Sequence, residues 1–557
     1  MREKSIKSKI YLLGIIILAS FFRLYAIGRT FHEWDSPILS GLIMGSKNIF
    51  WVFFHSYGFF TPFISETFFR ILLFLGIPVT EFWWIFPISL VGILTVLLIY
   101  FMLKRMLGDK QALVATAIIC LLPSHIISSR YAYGYECGYV FLAFLSIYSF
   151  VRYLMSKNWS DGALFSLSLA FYVMTHVLFP FIFIILIWTA YIYVKEENKF
   201  FSLKDVFLNK FFILPSICVF LQFLLLIIYL KKTDYYLWIS DNFFNIDEPI
   251  FYYVQTTLGH HLFKLQFVNY LPFAHSLNDF YVVKGLSVWN LWLLLVVYSI
   301  PFGIKEIKNR TKISIFYIWG ILYFAPFLII ELFFDPVMST YVSFGMVPIS
   351  IYAALFFYDK LHESFFGKNT KKKKLAFVSV LAAVFIYLFF ASCYKVFQFD
   401  LGKYFVTPKN PFLEEPFKYR SAYYYDVGYK TLSYYLREYV ADDKEVFVFD
   451  ENFRSFLEKY YLGKNTVFSK ILDQRKLSLF EENVDKIDII ATDPENKEEL
   501  DKFSEFEIKA NIYTKDLNQN KKKTFIIYGR KELSLPRIDM DTEEYNILYD
   551  RKYKITR

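Results

Sequence analysis

Two carboxylates stand in the stretch Phe31-His32-Glu33-Trp34-Asp35-Ser36-Pro37, directly after an apolar run that starts at Ile10. Charge just beyond a helix end at a membrane surface is costly unless it is paired, hydrated or used. Glu33 and Asp35 are therefore either solvated loop carboxylates or working ones. The flanking Phe31 and Trp34 weigh toward the second, because partial desolvation by aromatic rings raises a carboxylate's basicity toward a general-base role. Arg130, after Ser128-Ser129, is a second candidate. Its guanidinium offers two parallel donors suited to phosphate oxygens, and the plainer alternative is an arginine snorkelling at an interface. Glu136 follows six residues on and is close enough in sequence to pair with it. His176 falls between two apolar runs joined by almost no loop, where a lone histidine is more often a satisfied interfacial group than a ligand. Lys231-Lys232 end another run, His260-His261 and His275 lie in a long polar-aromatic stretch, and no His-x-x-x-His or acidic triad accompanies them. No metal site is expected on that spacing.

The elements that position these residues are apolar helices. Over half of the chain is apolar (56%), and runs of about twenty apolar residues recur, as expected where a bilayer is the solvent. Hydropathy gives about eleven spans, near 10–28, 82–103, 111–128, 137–155, 160–176, 178–194, 211–230, 286–304, 313–332, 341–358 and 375–394. The net charge of +10 reflects Lys and Arg clustered between the spans and in the C-terminal part. They fall on every second loop: the N-terminus, Lys104-Arg105 with Lys110, Arg152/Lys157, 195–210, 305–312, and Lys360 with 371–374. That pattern makes those loops and the N-terminus cytoplasmic and reports orientation rather than nucleic-acid binding, for which no basic-aromatic module is visible. The run from Ile10 reads as a retained signal anchor, with no small-x-small cleavage site before Arg29. Cys120, Cys137, Cys218 and Cys393 have no metal-ligand spacing and read as small apolar-facing residues.

Loops 29–81, 128–136 and 231–285 then lie outside the cell membrane, and the first carries amphipathic stretches at Pro37–Phe54 and Pro62–Leu75 suited to helices in the interface plane. An odd number of spans also puts 395–557 outside. There the composition becomes charged, with short β-like runs at 445–449, 487–491, 506–513 and 524–528 and a helical pattern at 428–439. The predicted architecture is an all-α polytopic membrane domain over 1–394, followed by a small extra-cytoplasmic α/β domain over 395–557.

Four stretches taken together, "RLYAIGRTFHEWDSP", "TPFISETFFRILLFLGI", "LIYFMLKRMLG" and "LLPSHIISSRYAYGYECGYVFLAFLSIYSFVRYL", resemble the GT-C glycosyltransferase superfamily, in particular its protein O-mannosyltransferase and lipid A aminoarabinose transferase branch. "YVMTHVLFPFIF" and "STYVSFGMVPISIYAALFF" are similar to later spans of the same family. The resemblance implies transfer of a sugar from a polyprenyl-phosphate donor to a lipid, glycan or protein acceptor on the outer face of the membrane. It also implies that an acid in the first outer loop is the catalytic base or positions the acceptor. Asp35, after Trp34, occupies that place. Ser36 stands where the second acid usually lies and Glu33 sits two residues upstream, so Asp35 is favoured with Glu33 as the alternative. Inversion at the anomeric carbon needs a base for the acceptor and a cation for the departing lipid phosphate, which casts Arg130 as the donor-phosphate ligand. Glu136 matches the family's second-loop acid in rough position, as acceptor-positioning group or cation ligand, and Thr175-His176 is placed at the outer face. Some relatives bind a divalent cation, but no cofactor is called for by these residues.

Two other classes compete. A polyprenyl-linked glycan ligase or oligosaccharyltransferase fits the spans, although no WWDxG-type signature follows residue 395. A lipid-linked sugar flippase or transporter would show charged or broken helices near mid-bilayer and repeated halves, and neither pattern is visible.

Overall fold

The structure is a computed structural model. It describes residues 2–25, 27, 60–77, 80–130, 135–175, 179–196, 209–232, 291–333, 343–366, 376, 378–390, 428–441, 443–449, 472–473, 484–492, 494, 497–515 and 521–553.

Each of the eleven apolar runs contains a described helix. In chain order the helices are α1 (Arg2–Leu24), α2 (Phe60–Phe74), α3 (Glu81–Leu107), α4 (Asp109–Cys120), α5 (Pro123–Ser128), α6 (Tyr135–Ser156), α7 (Trp159–Val173), α8 (Pro180–Glu196), α9 (Ile213–Lys232), α10 (Leu291–Asn309), α11 (Ser314–Phe333), α12 (Ser343–Phe366) and α13 (Val378–Phe390). The amphipathic stretch expected over 62–75 is α2, and that over 37–54 lies outside the described residues. Among the described residues, Glu81–Leu107 and Cys137–Ser156 are long and apolar enough to cross a membrane, and shorter apolar helices accompany them. The run expected as one span over 111–128 is two helices. Leu121-Leu122 breaks it, because Pro123 carries no amide hydrogen and starts a new helix at its first position.

One apolar core joins α1 through α12, built from residues such as Phe22, Ile99, Phe144, Leu186, Trp319 and Tyr352. Small residues let the helices approach: Gly303 faces the Tyr317 ring and Gly320 faces Ile349, each too close for a side chain. Three buried phenols meet inside this core. The hydroxyls of Tyr139 on α6 and Tyr323 on α11 are 2.6 Å apart, and the Tyr172 hydroxyl on α7 bonds to both. Three helices are thus tied by a closed ring of hydrogen bonds, which satisfies each polar group where no water reaches.

The C-terminal part is a sheet covered by helices. After α14 (Tyr429–Tyr439) come β1 (Val446–Phe449), β2 (Leu472–Asp473), β3 (Ile489–Thr492), β4 (Phe506–Lys515), β5 (Lys521–Arg530), β6 (Ile538–Asp541) and α15 (Thr542–Lys552). The four β-like runs and the helical pattern read from the sequence are β1, β3, β4, β5 and α14, whereas β2, β6 and α15 were not anticipated. The strand order is β2-β1-β3-β5-β4-β6. The pairs β1–β2, β1–β3 and β4–β6 are parallel, and β3–β5 and β4–β5 antiparallel. Strand alternation sorts the side chains to two faces. Val446, Val448, Ile489, Ala491, Phe525 and Ile527 pack with Leu432, Tyr435 and Leu436 of α14, and Phe447, Ile490, Ile526 and Tyr528 pack with Phe506 and Leu500 on the other side. Gly428, at φ +86°, turns the chain into α14, and a β-carbon there would sit 2.6 Å from Ile512 Cγ2.

The sheet-bearing part docks on the head of α3 through charge. Lys430 Nζ lies 2.8 Å from Glu81 Oε1 and 2.7 Å from Asp550 Oδ1. Glu81 and Lys430 are 2% and 1% exposed, a degree of burial at which an ion pair has to be matched to persist. Around them, Arg437 lies over the Tyr553 ring at 4.6 Å, and Glu438 binds Lys552 at 2.5 Å and the Tyr553 hydroxyl.

Candidate functional site

The C-terminal end of α1 is where the acid-bearing stretch begins, and the structure shows what holds that end. Helices leave their last carbonyls without intrahelical donors. Two carbonyls at this end, one in the last turn of α1 and one on the residue just past it, are taken by a single amino group: Arg130 Nη1 donates to Phe22 O at 2.9 Å and to Tyr25 O at 2.8 Å. Arg130 is 1% exposed. Its charge beside the carbonyl end of α1 is also favourable to the helix dipole.

A second buried arginine completes the junction. Arg23 Nη1 donates to Ala19 O at 3.2 Å and Cys120 O at 3.3 Å, and Nη2 lies 2.6 Å from His125 Nδ1. Because a guanidinium only donates, Nδ1 of His125 accepts, and the imidazole is neutral with its proton on Nε2. That Nε2 and the Arg23 Nε are buried and have no hydrogen-bond partner among the described residues. Ser89 on α3 fastens the two strands of the junction, donating to Arg23 O at 3.2 Å or to Ser129 O at 2.9 Å. The close crossing of α3 and the α5 end depends on Gly92, where a β-carbon would stand 2.4 Å from Ser129 Cβ and 3.2 Å from Arg23 Nε.

Of the candidates read from sequence, Arg130 is thus brought into contact with the end of α1. Glu136 lies in the first turn of α6, and Glu33, Asp35 and His176 fall outside the described residues. Arg23, His125 and Ser89 were missed as members of the same cluster. A signal existed for two of them, since an arginine and a histidine inside apolar runs are expensive unless used or paired. Among the described residues no group of three His, Cys, Asp or Glu side chains is placed to hold a metal ion.

Over 96% of its length the chain superposes on the oligosaccharyltransferase AglB of Archaeoglobus fulgidus, solved with an inhibitory peptide and a dolichol-phosphate, covering 75% of that chain at a TM-score of 0.52 and 13% identity. Over 94% of its length it superposes on ArnT of Cupriavidus metallidurans bound to undecaprenyl phosphate, covering 99% of that chain at a TM-score of 0.51 and 9% identity. The chain has the GT-C fold. No family model and no curated protein sequence matches it. At such identities the likeness is one of backbone. Within the GT-C fold of this chain, the Arg23–His125–Arg130 junction is what anchors the exit of the first helix.

Proposed function

We propose that the protein is a membrane glycosyltransferase that moves a sugar from a polyprenyl-phosphate donor to a lipid, glycan or protein acceptor at the outer face of the cell membrane. The observation that carries the proposal is that two structures sharing its fold, an oligosaccharyltransferase and ArnT, each hold a long-chain isoprenoid phosphate. The proposed topology has eleven crossings, a cytoplasmic N-terminus, and residues 395–557 outside as a separate domain.

In this scheme the carboxylate of Asp35, or of Glu33, takes the proton of the acceptor hydroxyl or amine as the acceptor atom bonds to the anomeric carbon. The bond from that carbon to the phosphate oxygen breaks, and the isoprenoid phosphate departs with the electron pair. Arg130, Glu136 and His176 are assigned to the donor phosphate and to substrate placement. In this scheme Arg130 serves the donor phosphate while its Nη1 also holds the end of α1. Nothing in the scheme requires a resident cofactor, and chelation with EDTA tests the divalent-cation alternative.

The decisive experiment incubates membranes carrying the protein with a panel of radiolabelled polyprenyl-phosphate sugars and asks which label moves, and onto what. Asp35→Asn should lower transfer by about 100- to 10,000-fold, the usual contribution of a general base, with unchanged protein yield. Full activity in that variant removes Asp35 from the chemistry, and no transfer by the wild type from any donor removes the proposal.

A further inference from the structure

The Glu81–Lys430–Asp550 triad is an unusual way to attach a domain. Burying ions costs several kcal/mol each, and well-packed apolar side chains of the same volume commonly hold an interface as firmly or better. What a buried pair adds is direction: it is satisfied in one relative placement of its partners and in no neighbouring one. Here the three groups come from three elements. Glu81 starts α3, Lys430 is in the first turn of α14, and Asp550 is in the last turn of α15. The two helices of the C-terminal part are also pinned to each other, by Thr431 Oγ1 to Asn546 Oδ1 at 3.0 Å and by Glu438 to Lys552. They therefore meet the head of α3 as one body.

The head of α3 is connected in turn to the last part of the first loop. Trp84, one turn after Glu81, stacks on Phe69 of α2 with ring centroids 4.7 Å apart and planes 18° apart. Both rings are buried. A path of rigid contacts runs from Lys430 to Glu81, Trp84, Phe69 and α2, which ends the same 29–81 loop that begins at the Arg130-capped exit of α1. The described elements on either side of the sequence that carries Glu33 and Asp35 are thus each fixed: the end of α1 by the arginine junction, and α2 by this charged contact.

We infer that Lys430 is a positioning residue for sugar transfer: the Glu81–Lys430–Asp550 latch fixes the C-terminal domain on α3 and, through Trp84 and Phe69, sets α2 and the first outer loop. The positioning role rests on the transferase reading above, whereas the latch itself does not. Its partner chemistry is specific. A planar or longer cation at 430 can bridge two carboxylates, and an apolar side chain of the same length cannot.

The test uses the full chain in vesicles and two readouts. Amide hydrogen exchange of α2, α14 and α15 reports docking, and kcat/KM for the labelled donor reports transfer. Lys430→Met leaves Glu81 buried without its cation and should raise exchange in all three helices by roughly 150- to 5,000-fold, the range expected for breaking one side of a buried pair, with a matching fall in kcat/KM. Lys430→Arg should restore both. Lys430→Met/Glu81→Met removes both buried charges, so it guards against simple misfolding of the single variant; it should recover slow exchange while kcat/KM stays low, because the orienting contact is gone. Wild-type exchange and kcat/KM in Lys430→Met, or full recovery of kcat/KM in the double variant, overturns the inference. Were the wild type inactive on every donor, the transferase reading would fall, and the exchange data would still decide whether the latch exists.

Discussion

Arg130→Met separates the two things that Arg130 can do. The substitution keeps an unbranched apolar stem and loses the guanidinium, and with it the amino group that binds Phe22 O and Tyr25 O. Hydrogen bonds from a charged donor contribute roughly 1.5–3 kcal/mol each, so the pair is worth about 3–6 kcal/mol. Part of this is returned, because the variant no longer desolvates a guanidinium, and a net loss of about 2–3 kcal/mol is expected. At 1.4 kcal/mol per decade this is about 30- to 150-fold in the equilibrium that keeps the end of α1 closed. The residues that follow include Glu33 and Asp35, so a loosened exit displaces the proposed base, and a displacement of about 1 Å costs on the order of 100-fold in rate. Exchange at the amides of residues 20–30, measured in vesicles, should rise by that factor. Donor kinetics are read in parallel. A raised KM for the polyprenyl donor with unchanged exchange would mean that Arg130 serves the phosphate and does not cap α1, and the reasoning above would be refuted. Unchanged exchange and unchanged kinetics would remove both roles.

Gly92→Ala should be more damaging than its single added carbon implies, because the obstructing atom is Ser129 Cβ, fixed to backbone, at 2.4 Å. Overpacking of this kind costs about 1–3 kcal/mol, and the variant should show lowered thermal stability together with reduced transfer; wild-type stability would mean that α3 and the Ser129 segment separate freely. Docking of the C-terminal part should weaken at alkaline pH. Burial alone would lower the Lys430 ammonium, but Glu81 and Asp550 more than reverse this and raise it above the ordinary lysine value of 10.5. A group raised in the docked state contributes stability that is complete below 10.5 and is lost as pH rises through the raised value. Burial holds the Asp550 carboxyl above its ordinary 3.8 despite Lys430, so its own contribution is largest below 3.8 and declines as pH rises past it. Glu438 is opposite again: burial is outweighed by Lys552 and the Tyr553 hydroxyl, which lower it below 4.5, and its contribution fades as pH falls through that lowered value. Exchange protection of α14 should therefore be flat through neutral pH and fall above 10.5; loss near pH 8 would exclude Lys430 as the controlling group.

Much of the fold was legible from periodicity. Runs of about twenty apolar residues announce helices because a helix satisfies its backbone hydrogen bonds within the segment itself, as hydrocarbon requires. Alternation over 445–449, 487–491, 506–513 and 524–528 announced strands, since successive strand side chains face opposite sides. Strand β2 escaped because two residues carry no alternation to register, and β6, Ile538-Asp539-Met540-Asp541, because its two acids leave no apolar run; they exist through pairing to β1 and β4. The break at Leu121-Leu122 was written in Pro123 and was read over because hydropathy averages across it.

The candidate site divides in the same way. Residue types and their order along the chain were enough to single out Glu33, Asp35, Arg130, Glu136 and His176, and to point to acid–base and phosphate chemistry, because a side chain's charge and pKa range are local properties. Which of them meet was not local. That Arg130 closes on the carbonyls of Phe22 and Tyr25, 108 and 105 residues away, and that Lys430 reaches Glu81 across some 350 residues, was decided by helix packing. Sequence fixes what each group can do, but only the close approach of helices distant in the chain decides which partner it does it with.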